Sequence, residues 1–152
     1  MKNKLEAIIF IGIQGSGKST FYHEHFSGLV HVNLDELHTR NKENLLLNEC
    51  IEKGYSFVVD NTNPQIKDRE KYILLAKDNG YRLIGYYFAS RISDCIERNS
   101  KREGKARVPD KAILATHRKL ELPSYSEGFD ELYYVEIQNN DFVVKEWEKD
   151  EV

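Results

Sequence analysis

The sequence predicts an α/β domain with a parallel β-sheet and helices on both faces. Two observations lead to this fold class. Short apolar runs typical of buried strands alternate with helical patterns along the 152 residues. A glycine-rich loop also joins the first predicted strand to the first predicted helix. We expect one domain over residues 1–152, because the chain is too short for two ordinary domains.

Five segments are predicted to be strands because they are short, apolar and rich in β-branched or aromatic residues. They are residues 7–11, 29–33, 55–59, 83–88 and 132–137. Right-handed crossovers would make these strands parallel. The turn at Asn139-Asn140 leads into residues 141–144, which are consistent with a short closing strand.

The segments between the strands have helical patterns with recognisable ends. They are residues 20–26, 35–53, 64–79, 94–99 and 109–120. Gly54 and Gly80 are expected to end two of these helices, Pro64 and Pro109 suit first turns, and Ser93 is a predicted N-cap. Ligands of such sheets bind beyond the carboxyl ends of the strands. We therefore expect one shared edge for the loops at 12–19, 33–35, 60–63, 89–91 and 137–141.

Residues 12–19, GIQGSGKS, match the phosphate-loop pattern G-x-x-x-x-G-K-[ST] between a strand and a helix. Such glycines let backbone N–H groups curl around phosphate oxygens. Lys18 is expected to reach the β- and γ-phosphates, and the Ser19 hydroxyl to hold Mg²⁺. The alternative is a glycine turn that binds nothing. The predicted ATP-binding residues here are Gly12, Gln14, Gly15, Ser16, Gly17, Lys18, Ser19 and Thr20.

Two aspartates follow predicted strands at the expected ligand edge. Asp35 suits a general base that accepts a hydroxyl proton, although the residues alone equally allow Asn33 or Asp35 to be a helix N-cap. Asp60 is predicted to hold Mg²⁺ through water or to orient Asn61 and Thr62. The alternative for Asp60 is an Asx-turn that starts the following loop.

A basic stretch over about residues 98–109 is predicted to be a lid. Nine Lys and Arg lie between residues 91 and 119, against four Asp and Glu. Arg98 and Arg102 could deliver positive charge to the phosphates while the segment excludes water. The alternative is a solvated charged loop. Asn139, after the fifth strand, is added to the predicted ATP contacts.

Composition narrows the remaining function classes. The net charge is −3, which argues against a general polyanion binder. No run of eighteen apolar residues is present, so we expect no membrane association. Two separated cysteines and no secretory apolar region favour a reduced, cytoplasmic protein. His23 and His25 lie two apart on a predicted helix and cannot chelate one metal together.

Several segments in order carry a family resemblance. Residues 12–20 match a kinase phosphate loop. The segment VNLD at 32–35 matches a strand end that carries a general base, and VVDNTN at 58–63 matches a D-x-T-N-like element. The family's lid is similar to RNSKR at 98–102 together with residues 104–105 and 108–109. The family's segment before the last strand is similar to Pro123 together with residues 127–131. Over about residues 5–137 the chain resembles P-loop kinases of the 5′-polynucleotide kinase type. These are the kinase modules of polynucleotide kinase/phosphatase end-healing enzymes, related to zeta-toxin-like ATP-binding AAA proteins.

The resemblance implies a P-loop NTPase fold with sheet order 2-3-1-4-5, ATP with Mg²⁺ as donor, and transfer to a hydroxyl. It implies Asp35 as the general base and Lys18 with Arg102 as phosphate ligands. One position departs from the pattern: where polynucleotide members often carry an arginine three residues after the base, this chain has His38. The predicted substrate-binding residues are Asp35, His38, Arg40, Asn61, Thr62 and Asn63.

The sequence therefore predicts an ATP-dependent kinase that acts on the 5′-hydroxyl end of DNA or RNA. Two alternatives stay open. One is the same chemistry on a small metabolite, nucleoside or sugar. The other is a nucleotide-binding module or ATPase without a phosphoryl acceptor. The oligomeric state is not predicted.

Overall fold

The chain folds around one six-stranded sheet in the order β2-β3-β1-β4-β5-β6, seen in a computed structural model that describes residues 4–149. The ends of the predicted domain, residues 1–3 and 150–152, lie outside the described residues. The strands are β1 (Glu6–Ile11), β2 (Val30–Val32), β3 (Phe57–Val59), β4 (Arg82–Phe88), β5 (Glu131–Gln138) and β6 (Asp141–Glu146).

The parallel part of the sheet confirms the predicted order 2-3-1-4-5, and the prediction of five strands was one strand short. The sixth strand pairs antiparallel to β5, with Gln138 opposite Asp141. Asn139 and Asn140 have φ angles of 52° and 66°. Two successive left-handed residues form a tight hairpin turn, and such a turn joins only antiparallel strands. The predicted closing strand is therefore a full member of the sheet.

Six α-helices cover the sheet within the described residues. They are α1 (Lys18–His25), α2 (Leu34–Leu37), α3 (Arg40–Lys53), α4 (Ile66–Asp78), α5 (Ile92–Ser100) and α6 (Asp110–Lys119). Short 3₁₀ turns lie at Gly104–Ala106 and Tyr125–Glu127.

The helix predicted over residues 35–53 is in fact two helices. His38 has a φ of 72°, which ends α2 after one turn. The hydroxyl of Thr39 then accepts a hydrogen bond from the Lys42 N–H at 3.1 Å and starts α3. The prediction for Ser93 was also wrong, because α5 begins at Ile92 and Ser93 lies inside it.

The core lies on both faces of the sheet, as predicted. Along β1, Ile9 and Ile11 pack on one face with residues of α3 and α4. Ile8 and Phe10 pack on the other face with Phe21 of α1. Because β1 is buried on both faces, the loop that follows it is held at a rigid edge of the sheet. Within residues 4–149, no helix combines the length and apolar character needed to cross a membrane.

Candidate active site

The phosphate loop connects β1 to α1 and requires glycine at two positions. Gly15 and Gly17 have φ angles of 82° and 98°, in the left-handed region that glycine adopts readily. A Cβ atom at Gly15 would lie 2.4 Å from the backbone oxygen of Cys95. The loop is therefore packed closely against the backbone of α5 at Gly15.

Lys18 is held inside this loop. Its Nζ donates hydrogen bonds to the backbone oxygens of Gly12 and Ile13, at 3.0 Å each. Burial lowers the pKa of Lys18 to about 8. Next to it, the Ser16 hydroxyl is buried and has no hydrogen-bond partner within residues 4–149. A buried cation and an unpaired hydroxyl are the groups that a phosphate would complete, so the loop fits its predicted ligand.

Ser19 and Asp60 lie side by side, as a metal site in a phosphate-loop protein requires. The Ser19 hydroxyl donates to Asp60 Oδ2 at 2.7 Å. Burial acts to raise the pKa of Asp60, but hydrogen bonds from His31 and Ser19 and the charge of Lys18 hold it below its ordinary value. Asp60 therefore stays ionised. Its carboxylate and the Ser19 hydroxyl are suitable oxygen donors for Mg²⁺, which keeps several waters.

His31 is a site residue that the sequence did not reveal. Its Nε2 lies 2.8 Å from Asp60 Oδ2, its Nδ1 lies 2.5 Å from Glu36 Oε1, and its ring stacks on Tyr22 at 3.8 Å. Burial acts to lower the pKa of His31, but the two carboxylates raise it overall. The His31 ring therefore links the Asp60 carboxylate to Glu36 of α2.

Asp35 lies in the single turn of α2, and its carboxylate is not needed as a cap. The side chain of Asn33 is the N-cap, since it accepts from the Glu36 N–H at 3.2 Å. The Asn33 amide also donates to the backbone oxygen of Asp60 at 2.7 Å. Asp35 is exposed toward a cavity of about 540 Å³. The N-cap of α2 is therefore Asn33, and the role of Asp35 as a general base stays a prediction.

Most of the predicted substrate and phosphate residues meet in that first cavity. Its wall contains Gln14, Gly15, Gly17, Lys18, Ser19, Asp35, Arg40, Asp60, Asn61, Thr62, Asn63 and Arg102. Of the predicted substrate residues, His38 lines neither cavity and lies exposed at the end of α2. Of the predicted phosphate-loop residues, Gly12 and Ser16 line neither cavity. The loop after β3 reaches the phosphate loop directly, through a hydrogen bond from the Gly12 N–H to the Thr62 oxygen at 3.0 Å.

A second cavity of about 610 Å³ lies on the other side of the phosphate loop. Its wall includes Thr20, Arg98 and Asn139, three of the predicted ATP-binding residues. Arg98 also donates to the Gly15 oxygen at 3.2 Å. Arg102 lines both cavities, as do Gly15 and Gly17 of the phosphate loop.

The basic segment predicted as a lid runs over the first cavity. The 3₁₀ turn Gly104–Ala106 contributes Lys105 and Ala106 to the cavity wall. The base of the segment is closed by Asn99, whose amide donates to the Val108 oxygen at 2.6 Å and accepts from the Val108 N–H at 3.0 Å. The segment therefore has a fixed base and an exposed tip.

Sheet order, phosphate loop and the paired Ser19 and Asp60 define a P-loop NTPase fold of the kinase type. A family model described as an AAA domain matches residues 43–123, just over half of the chain, and the chain belongs to this family. Proteins with this fold include kinase-family phosphotransferases, and the fold implies that ATP binds together with a divalent metal ion.

Two curated relatives are similar over most of this chain. A protein of Acanthamoeba polyphaga mimivirus, named as a bifunctional polynucleotide phosphatase/kinase, is 33% identical over 137 residues, 85% of this chain and 32% of its own. The bifunctional polynucleotide phosphatase/kinase of Schizosaccharomyces pombe is 28% identical over 129 residues, 82% of this chain and 32% of its own. The chain thus spans about a third of the length of these relatives.

A solved structure confirms the fold. The crystal structure of a gluconokinase from Sinorhizobium meliloti 1021 superposes with a TM-score of 0.60 at 20% identity, covering 89% of this chain and 84% of the other. At this identity the similarity concerns the fold alone.

Proposed function

We propose that this chain transfers the γ-phosphoryl group of ATP to the 5′-hydroxyl end of DNA or RNA. The observation that carries the proposal is the wall of the first cavity, which joins the phosphate loop to Asp35 and to basic side chains outside that loop. Six Lys and Arg side chains line it, against three Asp. Four of the six have side chains without an ion pair or hydrogen bond to any other described residue: Lys67, Arg102, Lys105 and Lys119.

These free cations favour an acceptor that carries negative charge. Lys18 and Arg102 suffice for the triphosphate of ATP. Lys67, in the first turn of α4, and Lys119, the last residue of α6, lie outside the phosphate loop. Their ammonium groups suit the phosphodiester that follows a 5′-terminal nucleoside. The names of the two curated relatives support the same acceptor class.

Each part of the transfer reaction is assigned to particular residues of this chain. Asp35 accepts the hydroxyl proton as that oxygen attacks phosphorus. Lys18 exchanges its two carbonyl partners for phosphate oxygens, and Arg102 of the lid, which lines both cavities, adds positive charge. Ser19 and Asp60 would hold Mg²⁺, which neutralises phosphate charge when bound. Arg98 and Asn139 in the second cavity would contact the rest of the nucleotide.

A small hydroxyl metabolite is the second candidate acceptor. The fold neighbour is named as a gluconokinase, so the same scaffold also carries sugar phosphorylation in another protein. A neutral sugar would leave Lys67 and Lys119 without a role, and a sugar acid carries only one carboxylate, so the two lysines favour the polynucleotide.

The direct test is an incubation with γ-labelled ATP and Mg²⁺ and a panel of 5′-hydroxyl DNA and RNA oligonucleotides, nucleosides and sugars. We expect the label on the oligonucleotide, and we expect it to be lost in Lys18→Ala. Label on a sugar or nucleoside alone would mean that the chain is a kinase whose acceptor is a small molecule. ATP binding without transfer to any acceptor would contradict the proposal.

Lys67→Ala combined with Lys119→Ala should weaken binding of the oligonucleotide acceptor and leave KM for ATP unchanged. The expected signature is salt dependence, because each lost phosphate contact lowers the slope of log KM against log salt by about 0.7 for a single strand. Lys111→Ala is the matched control, since Lys111 is exposed on α6 but does not line the cavity. An unchanged slope in the double variant would remove these lysines from acceptor binding.

A further inference from the structure

The amide of Asn61 is fully engaged by protein groups, although Asn61 lies in the wall of the first cavity. Its Nδ2 donates to Glu43 Oε2 at 3.1 Å and approaches the Tyr72 hydroxyl at 3.3 Å. Its Oδ1 accepts from the Leu34 N–H at 3.0 Å. An amide that already has these partners is poorly placed to recognise a substrate directly. Its contacts point to a different task.

Glu43 determines which way this amide faces. The carboxylate is fully buried, and its Oε1 accepts from Lys71 at 2.6 Å and from the Tyr72 hydroxyl at 2.9 Å. Burial acts to raise the pKa of Glu43, but these donors and the charge of Arg40 hold it below its ordinary value. An ionised carboxylate only accepts, so the NH₂ side of Asn61 must face it. The carbonyl side must then face Leu34.

Leu34 is the first residue of α2. Its N–H is one of the N-terminal amide groups that have no hydrogen-bond partner inside their own helix. Because α2 has one turn, its own hydrogen bonds hardly fix its orientation. Two asparagine side chains hold it instead: Asn33 accepts from the Glu36 N–H, and Asn61 of the loop after β3 accepts from the Leu34 N–H. Asp35 is the next residue along the chain.

We propose that Asn61, oriented by the buried carboxylate of Glu43, is a positioning residue for the general base Asp35. It anchors the first N–H of α2 and so sets where the Asp35 carboxylate stands relative to the phosphate loop. This inference rests on the proposed function in one respect, namely that Asp35 is the base. A displacement of a catalytic group by about 1 Å can cost about 100-fold in rate.

The geometry allows a test by exchange of hydrogen-bond partners. Asn61→Asp places a second carboxylate oxygen against Glu43 Oε2 and should displace the α2 turn. We expect kcat to fall about 10- to 100-fold with KM for ATP unchanged. Adding Glu43→Gln reverses the direction of the hydrogen bond. The amide NH₂ at position 43 can donate to the carboxylate at position 61, and the amide oxygen at position 43 can keep the Lys71 and Tyr72 contacts. The double variant should recover most of the lost kcat.

Lys42→Met is the matched control, because Lys42 is exposed and directly precedes Glu43 on α3. Its kcat should match that of the unchanged protein. Thermal unfolding of each variant separates a loss of position from a loss of fold. Wild-type kcat in Asn61→Asp, or a folded double variant as slow as Asn61→Asp, would overturn the inference.

Hydrogen exchange at the Leu34 amide gives a readout that needs no acceptor. We expect faster exchange in Asn61→Asp and restored protection in the double variant, which supports the anchoring of α2 even if transfer is absent. If the unchanged protein phosphorylates no acceptor, the proposed function fails while this result stands. If transfer occurs but exchange at Leu34 is the same in every variant, the positioning role fails.

Discussion

Replacing Asp35 by Asn is expected to lower phosphoryl transfer to a hydroxyl about 10²- to 10⁴-fold, the usual contribution of a general base. The amide keeps the shape of the side chain but cannot take the proton. ATP binding should be unchanged, because Lys18 and the phosphate-loop N–H groups are not altered. Steady-state transfer measured beside ATP binding on the same preparation gives both quantities.

Asp78→Asn is a suitable control, since Asp78 is exposed at the end of α4 and does not line either cavity. It should leave transfer unaffected. Transfer at the normal rate in Asp35→Asn would exclude Asp35 as the base. Loss of both ATP binding and transfer would mean that the substitution disturbs the phosphate loop through α2.

The phosphate loop was predictable because its chemistry is local. Gly15, Gly17, Lys18 and Ser19 act within one turn of chain, and their spacing alone defines the geometry. The order of the parallel strands came from the family resemblance and is confirmed. The break between α2 and α3 was missed because Leu37 and Leu45, eight residues apart, continue a helical spacing across it. Local cap chemistry at Thr39 overrides that pattern.

The supporting network was harder to predict, because its partners are far apart in sequence. Asn61 meets Glu43 over 18 residues, and Arg69 meets Glu127 over 58. A signal was nevertheless present. Glu43 shares helical spacing with the buried Leu47 and Cys50 of α3. Arg69 has the same spacing relative to the buried Tyr72, Ile73 and Ala76 of α4. A charge on the apolar face of a helix indicates a buried network.

Arg69→Met is expected to destabilise the protein by about 3–5 kcal/mol, the usual result of leaving one member of a buried ion pair alone. Arg69 is completely buried and donates to both carboxylate oxygens of Glu127, at 2.8 and 3.1 Å. It also donates to the backbone oxygens of Asn63 at 2.9 Å and Glu121 at 3.2 Å. Denaturant unfolding at neutral pH measures the change.

The expected effect is large because the substitution removes the guanidinium donors and leaves the buried Glu127 carboxylate and two backbone oxygens without these partners. The Glu127 side chain is only 5% exposed, so its charge cannot return to water while the fold is intact. Adding Glu127→Gln should therefore recover part of the loss. Lys53→Met is the control, because its pair with Glu49, at 2.9 Å, is exposed to solvent, and its loss should leave the free energy of unfolding almost unchanged. A loss of less than about 1 kcal/mol in Arg69→Met would mean that Glu127 finds water or another donor, and that the loop carrying Asn63 is not held by Arg69.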